Sequence, residues 1–388
     1  MKATSKSYVS KTVRELKPSG IRRFFDLAAG MEGVISLGVG EPDFVTPWPV
    51  REAAIRSIEE GYTSYTPNAG LPELREEITK YVKNRYHVEY SPSEVIVTVG
   101  ASSAIDTAMR TILDPGDEVI VVEPCFVSYG PMVTLAGGVP VPVQALKEND
   151  FKILPSQIEA AITDKTKALM ICFPNNPTGT LLNKQELEAL AEVIKKHDLL
   201  VISDEIYAEL TYDEEFTSMA SLPGMRERTI LVNGFSKAFA MTGWRLGFVC
   251  APKEILKEML KVHQYALMCA STTSQYAGLE ALRNGREDVD KMVKSYRLRR
   301  NFIVNSFNEM GLTCHMPGGA FYAFPSIEST GLSSQEFAER LLKEEGVAVV
   351  PGDVFGESGE GHIRCSYATS MEELREAMKR IKRFINSL

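Results

Sequence analysis

Short, unbroken apolar runs recur through the middle of the chain: Val95 to Val97, Val119 to Val122, Ala168 to Phe173, Leu199 to Ile202 and Ile230 to Val232. Between them apolar residues return three or four positions apart, as at Ile105, Met109 and Ile112. The first pattern predicts strands buried on both faces and the second predicts helices that pack against them. Strands alternating with helices at this spacing predict an α/β fold, with a mostly parallel sheet covered on both sides. No sequence unit repeats at a fixed period.

The flanks read differently. Ile21, Phe24, Phe25 and Leu27 fit one face of an early helix, and a second helix is expected over 47–60, opening at prolines. A loop broken by proline and glycine follows and carries Tyr62 and Tyr65. Residues 253–311 read as long helices interrupted at Ala270 to Gln275, and Tyr296 to Arg300 reads as a solvated helix face. From Gly318 onward strand-like runs alternate with a helix and a final amphipathic helix, a compact α+β segment. We expect an N-terminal arm and part of a small domain over 1–45, a large domain over 46–285, and a small C-terminal domain over 286–388.

Composition narrows the class. The chain of 388 residues is long enough for a large domain and a smaller one. No apolar stretch reaches the roughly 18 residues a membrane helix needs. The polar, basic N-terminal segment does not resemble a secretory signal, which favours the cytoplasm. A net charge of −8 argues against nucleic-acid binding and leaves small molecules and copies of the chain as partners. The six cysteines show no CxxC pair or metal-ligand spacing, so buried thiols and no metal site are expected.

Candidate chemistry gathers where the strands end. Phe126, Asn176, Asp204, Tyr207 and Lys237 each follow the carboxyl end of an apolar run, the side on which open α/β sheets bind ligands. Gly100, Ala101 and Ser102 carry a strand into a helix N-terminus, an arrangement suited to an anion. Arg245 lies eight residues beyond Lys237 and supplies a positive surrounding that keeps an amine neutral and nucleophilic. Gly38 and Gly40 permit close backbone approach ahead of Glu41 and Pro42. Arg364 sits in an apolar run, where an unpaired guanidinium is costly to bury. An aromatic aldehyde bearing a phosphate asks for these groups: a lysine for an imine, an arginine and a dipolar pocket for the phosphate, an aromatic or apolar cover, and a carboxylate at a ring nitrogen.

The segments GEPDF (40–44), PNNPTG (174–179), SDEIY (203–207), SKAFAMTGWRLGF (236–248) and IRCSYA (363–368) together resemble the class I/II aminotransferases of pyridoxal-phosphate fold type I. The likeness runs from about residue 10 onward. It is nearest the bacterial and archaeal alanine, aspartate, aromatic and N-acetyl-diaminopimelate aminotransferases. It implies a seven-stranded-type sheet in the large domain and pyridoxal 5′-phosphate as cofactor. Lys237 would carry the cofactor and shuttle the proton between substrate and cofactor. Asp204 would pair with the pyridine nitrogen, and Tyr207 and Asn176 would bind the ring hydroxyl. Ser236, Arg245, Ala101 and Ser102 would hold the phosphate, and Phe126 would stack on the ring, where many relatives place tryptophan or tyrosine. Arg364 would grip the substrate carboxylate, assisted by Asn176 and Gly40. Tyr65 would reach the neighbouring subunit's phosphate, so a homodimer is implied.

The expected reaction is a ping-pong exchange between an amino acid and a 2-oxo acid such as 2-oxoglutarate, with alanine or aromatic substrates favoured. Ser19, Ile21, Tyr65 and Met268 are the expected readers of the substrate side chain, while Lys17, Arg22 or Arg23 would instead suit a distal carboxylate. Aspartate or N-acetyl-diaminopimelate transamination and a carbon–sulfur β-lyase are the alternatives. A cofactor-sensing regulator would need a DNA-binding module ahead of GEPDF, and none is evident there.

Overall fold

The strands form where the apolar runs lie. A computed structural model describes residues 8–18, 20–21 and 31–388. In chain order the strands are β1 Ile35–Ser36, β2 Val95–Thr98, β3 Glu118–Glu123, β4 Val139–Gln144, β5 Thr166–Cys172, β6 Leu200–Asp204, β7 Thr229–Gly234, β8 Gly247–Cys250, β9 Tyr322–Ala323, β10 Val347–Ala348, β11 Val350–Pro351 and β12 Ile363–Ser366. Seven of them form one sheet in the order β2-β8-β7-β6-β5-β3-β4. β3 to β7 run parallel, and β8 is antiparallel to both β2 and β7. Every residue of β2, β7 and β8 is buried, as continuous apolar strands under two helical layers should be.

Chain direction places the chemistry. In the parallel register Cys172 pairs with Asp204 and Asp204 with Val232, so β5 and β6 end level and β7 runs two residues further on the same side. The strand order turns back between β3 and β5, which opens a crevice beyond these ends. Two smaller sheets stand beside it. β1 pairs in parallel with β10, while β12 lies antiparallel between β11 and β9. The N-terminal segment is thereby tied to the C-terminal part.

Helix ends follow local chemistry. The helix Trp48–Glu59 opens at Pro47, and Ser333 and Glu336 form a reciprocal cap on the helix Ser334–Glu345, which ends at Gly346 in the left-handed region. The expected break at Ala270 to Gln275 lies earlier: Lys253–Ala266 stops before it, and Thr272–Asn284 already contains Gln275. Gln275 is fully buried and accepts from Leu71 N, a tertiary contact that carries the polar stretch into helix.

The reading of Tyr296 to Arg300 as a solvated face holds for Arg297 and Leu298, which are exposed, and fails for the other three. Tyr296, Arg299 and Arg300 are buried. Arg299 pairs with Asp43, Arg300 pairs with Asp213, and Arg300 also stacks on Tyr212, so distant partners pull these cations inward. Five cysteines are buried and Cys269 is half-buried, and no potential metal-binding cluster of His, Cys, Asp and Glu is found among the described residues. Ser19, Arg22, Arg23, Phe24, Phe25 and Leu27 lie outside the described residues.

Candidate active site

A cavity of about 520 Å³ opens at the carboxyl ends of β5, β6 and β7. Lys237, Asp204, Tyr207, Ala101, Ser102, Phe126, Asn176, Ser236, Arg245, Gly40 and Arg364 all line it. Tyr65 does not; it stands at the surface with 80% of its area exposed. Ile21 also lines the cavity, whereas Lys17 is exposed away from it and Met268 is tied by its carbonyl to Asn68 on the Tyr65 loop.

Lys237 follows β7 in a turn, and its Nζ donates to the Gly40 carbonyl at 2.6 Å. Burial, then the positive charges of Arg364 and Arg245, pull its pKa down to about 8 against the opposing pull of Glu41 and Asp204. That amine is neutral in a substantial fraction near physiological pH, as a nucleophile or proton carrier must be.

Asp204, at the end of β6, is buried and accepts from the Tyr129 hydroxyl at 2.7 Å and from Ile206 N at 3.2 Å. Burial raises its pKa to about 6, while the Tyr129 bond, the Ile206 N–H and Lys237 pull it back. A cationic partner in the cavity would lower it further. Phe126 packs edge-on against Tyr129 and turns its remaining surface to the same space.

The anion end is built from two glycines and an arginine. The helix Gly100–Ile112 has no side-chain cap, so its first N–H groups are free for a ligand. A Cβ on Gly247 would lie 2.6 Å from the Gly100 carbonyl carbon, and one on Gly100 would lie 2.6 Å from Arg245 Nη2. Glycine at both positions lets β8, the helix start and the guanidinium come together. Arg245 holds a left-handed backbone, φ 50°, and donates to the Thr242 carbonyl at 3.0 Å. No carboxylate among the described residues pairs with it.

Arg364 on β12 is 2% exposed. Its Nη1 donates to Asn176 Oδ1 at 2.9 Å and its Nη2 to the Gly38 carbonyl at 2.5 Å, while Nε has no partner. The guanidinium carbon lies 4.5 Å above the Tyr322 ring and 4.9 Å from that of Phe355. Among the described residues it too lacks a carboxylate. A buried cation stacked between rings but left without a counter-ion is a site prepared for an anion. Asn176 spends its oxygen on Arg364, which turns its amide NH2 free to donate.

Among the cavity residues that sequence reasoning missed, the polar ones are Tyr129, Tyr322, Glu41 and Thr242. Thr242 donates to Glu41 at 2.8 Å, and Tyr207 and Tyr322 share a hydroxyl contact of 2.9 Å. For the two tyrosines a signal existed, because a phenol inside an apolar run must find a partner when buried.

One cavity thus gathers a lysine of lowered pKa, an uncapped helix start with an arginine, and a buried carboxylate. The family model for aminotransferase class I and II matches residues 32–381. The Bacillus subtilis protein YugH, an aminotransferase by name, is 65% identical, over 98% of this chain and 99% of its own. The aspartate aminotransferase of Pyrococcus abyssi is 50% identical, covering 95% and 96%. The solved aromatic aminotransferase of Pyrococcus horikoshii superposes with a TM-score of 0.90 at 47% identity, over 95% of this chain and 99% of that one. The chain belongs to the class I and II aminotransferases. It is a pyridoxal 5′-phosphate-dependent transaminase, and the cavity suits that cofactor: the uncapped helix start with Arg245 for a phosphate, buried Asp204 for a ring nitrogen, and Lys237 with its lowered pKa in the same lining.

Proposed function

We propose that the enzyme moves an amino group between an uncharged L-amino acid, alanine or an aromatic one, and a 2-oxo acid such as pyruvate. The observation that carries this is Arg364, a buried guanidinium without a carboxylate in the cavity that also holds Lys237. Arg364 binds the α-carboxylate common to both substrates, with Asn176 and the Gly40 backbone beside it. The helix start at Ala101 and Ser102, Ser236 and Arg245 hold the phosphate. Asp204 keeps the ring nitrogen protonated, Tyr207 and Asn176 donate to the ring oxygen, and Phe126 covers the ring. Bound pyridoxal 5′-phosphate supplies the electron sink for charge at the substrate α-carbon. Lys237 Nζ, with its lowered pKa, would be the group that takes up and releases the proton of the substrate α-carbon.

Two cations serve phosphate and α-carboxylate, and no third arginine or lysine beyond Lys237 lines the cavity among the described residues. The lining also holds the aliphatic side chains of Ile21, Val39 and Ile206 and the Glu41 carboxylate, a setting that favours apolar over acidic groups. The name of the Pyrococcus abyssi relative favours aspartate as the second reading.

The cofactor-binding unit spans 46–285, and 1–45 with 286–388 form the smaller unit that covers it, in keeping with the pairing of β1 and β10. The assembly is a homodimer in which Tyr65 reaches the other subunit's phosphate. Exposed Val45, Trp48, Ile58 and Tyr65 support an apolar contact on this segment. Among the described residues no helix is long and apolar enough to cross a membrane.

The test is an absorbance scan of the loaded protein with single amino acids, using Lys237→Ala as control. A visible band that the variant lacks, bleached by alanine or phenylalanine and restored by pyruvate, is expected. Aspartate turnover far above both would reverse the substrate order.

A further inference from the structure

Tyr322 has no part in the roles set out above, yet it touches three of the groups that fill them. It lies on β9, is 1% exposed, and lines the cavity. Its ring is stacked under Arg364, and its hydroxyl stands 2.9 Å from that of Tyr207. A Cβ on Gly40 would fall 2.7 Å from the same hydroxyl, so the backbone whose carbonyl receives Lys237 presses against it. Tyr207 follows β6 of the large sheet, whereas Tyr322 and Arg364 stand on neighbouring strands of the small one. The phenol pair is thus a bond between two sheets at the reacting centre.

We infer that Tyr322 is a positioning residue that fixes Arg364 and Tyr207 relative to each other, and that its hydroxyl donates to Tyr207 when Tyr207 donates into the cavity. Proton counting gives the direction. Each phenol has one proton. If Tyr207 spends its proton on the ring oxygen, the 2.9 Å contact survives only with Tyr322 as donor. A phenol that accepts a hydrogen bond is a stronger donor in turn. Burial holds both phenols neutral, raising the Tyr322 pKa and the Tyr207 pKa. The titratable groups that bear on the pair are Arg364, Cys172 and Glu41, with Lys237 5.8 Å from the Tyr207 ring centre. Meanwhile the Tyr322 ring, with Phe355 on another side, restricts the guanidinium to one plane and so to one angle of approach for a planar carboxylate.

The inference rests on the proposed roles of Tyr207 and Arg364, and the experiment separates the two. Tyr322→Phe keeps the ring and removes the donor; Tyr322→Leu removes both. In the loaded full-length enzyme, the visible band is titrated with pH and kcat and KM are measured for both substrates. For Tyr322→Phe the midpoint should rise by about 0.3 pH unit or more, because a weaker donor at the ring oxygen leaves the neighbouring proton more tightly held. Its KM should stay within about threefold of wild type, since the stack on the guanidinium is intact. Tyr322→Leu should raise KM for amino acid and oxo acid together by roughly tenfold. An unmoved midpoint in Tyr322→Phe overturns the inference, whatever becomes of the leucine variant, because a merely structural tyrosine would not shift it. A wild-type enzyme without a Lys237-dependent band would instead bring down the proposed roles themselves.

Discussion

Arg300 and Arg364 are buried to almost the same degree, at 3% and 2% exposure, and each stacks on a tyrosine. Their polar partners differ. Arg300 has a carboxylate, with Nη1 at 2.6 Å from Asp213, and also reaches the Pro317 carbonyl. Arg364 has an amide, a backbone carbonyl and an unpartnered Nε. A cation that braces a fold finds its counter-ion in the chain, whereas one that binds a ligand leaves that place open. Burial alone does not separate the two; the missing carboxylate does.

The largest effect should come from breaking the open member. Arg364→Leu is expected to lower kcat/KM for both substrates by about a hundredfold, the worth of two charge-assisted hydrogen bonds, in steady-state assays. Thermal unfolding should show no loss of stability, because an uncompensated buried charge has been removed. Arg300→Leu should do the reverse. It should leave kcat/KM within a few-fold and lower stability by about 1–2 kcal/mol in denaturant unfolding, at the small end for a charged hydrogen bond because Asp213 is half-exposed.

The same pair can be read out through Lys237. Only the neutral amine attacks the cofactor, so uptake of pyridoxal phosphate by the cofactor-free protein should accelerate with pH around the Lys237 pKa of about 8. Removing the Arg364 charge relieves a repulsion that holds that value down, and Arg364→Leu should move the curve to higher pH. Arg300→Leu should leave it in place.

The smallest effect extends the comparison to carboxyls. Asp204 faces the cavity, while its neighbour Glu205 is buried against Ser203 and Ser218 with Oε2 unpartnered. Burial first, with some help from Asp204, raises the Glu205 pKa from 4.5 to about 8 in spite of those hydroxyls. The folded chain therefore keeps a proton that the unfolded chain loses. Stability from this group falls as pH rises from about 4.5 to about 8 and levels off above. Melting curves of Glu205→Gln should lack that part of the decline, so its gain over wild type should be greater at pH 9 than at pH 5.

The large sheet was legible because strands buried on both faces must be apolar throughout, and that signal is local. The strand-end residues were legible for a related reason: Asn176, Asp204 and Lys237 interrupt such runs at the one edge where ligands bind. Arg299 and Arg300 were misread because their partners, Asp43 and Asp213, lie more than 80 positions away along the chain. No periodicity carries that information. The contact between Tyr207 and Tyr322 spans 115 positions and was hidden for the same reason.

The bond from Arg364 to the Gly38 carbonyl joins residues 326 positions apart. Synthesis runs from the N-terminus, so a growing chain presents Gly38 and Gly40 first, Asp204 and Lys237 midway, and the guanidinium near the end. Closing so long a loop is among the slower steps a chain can take. On the roles proposed above, a nascent chain that has folded its parallel sheet already owns the lysine but not the clamp for substrate, and catalysis waits for β12 to dock.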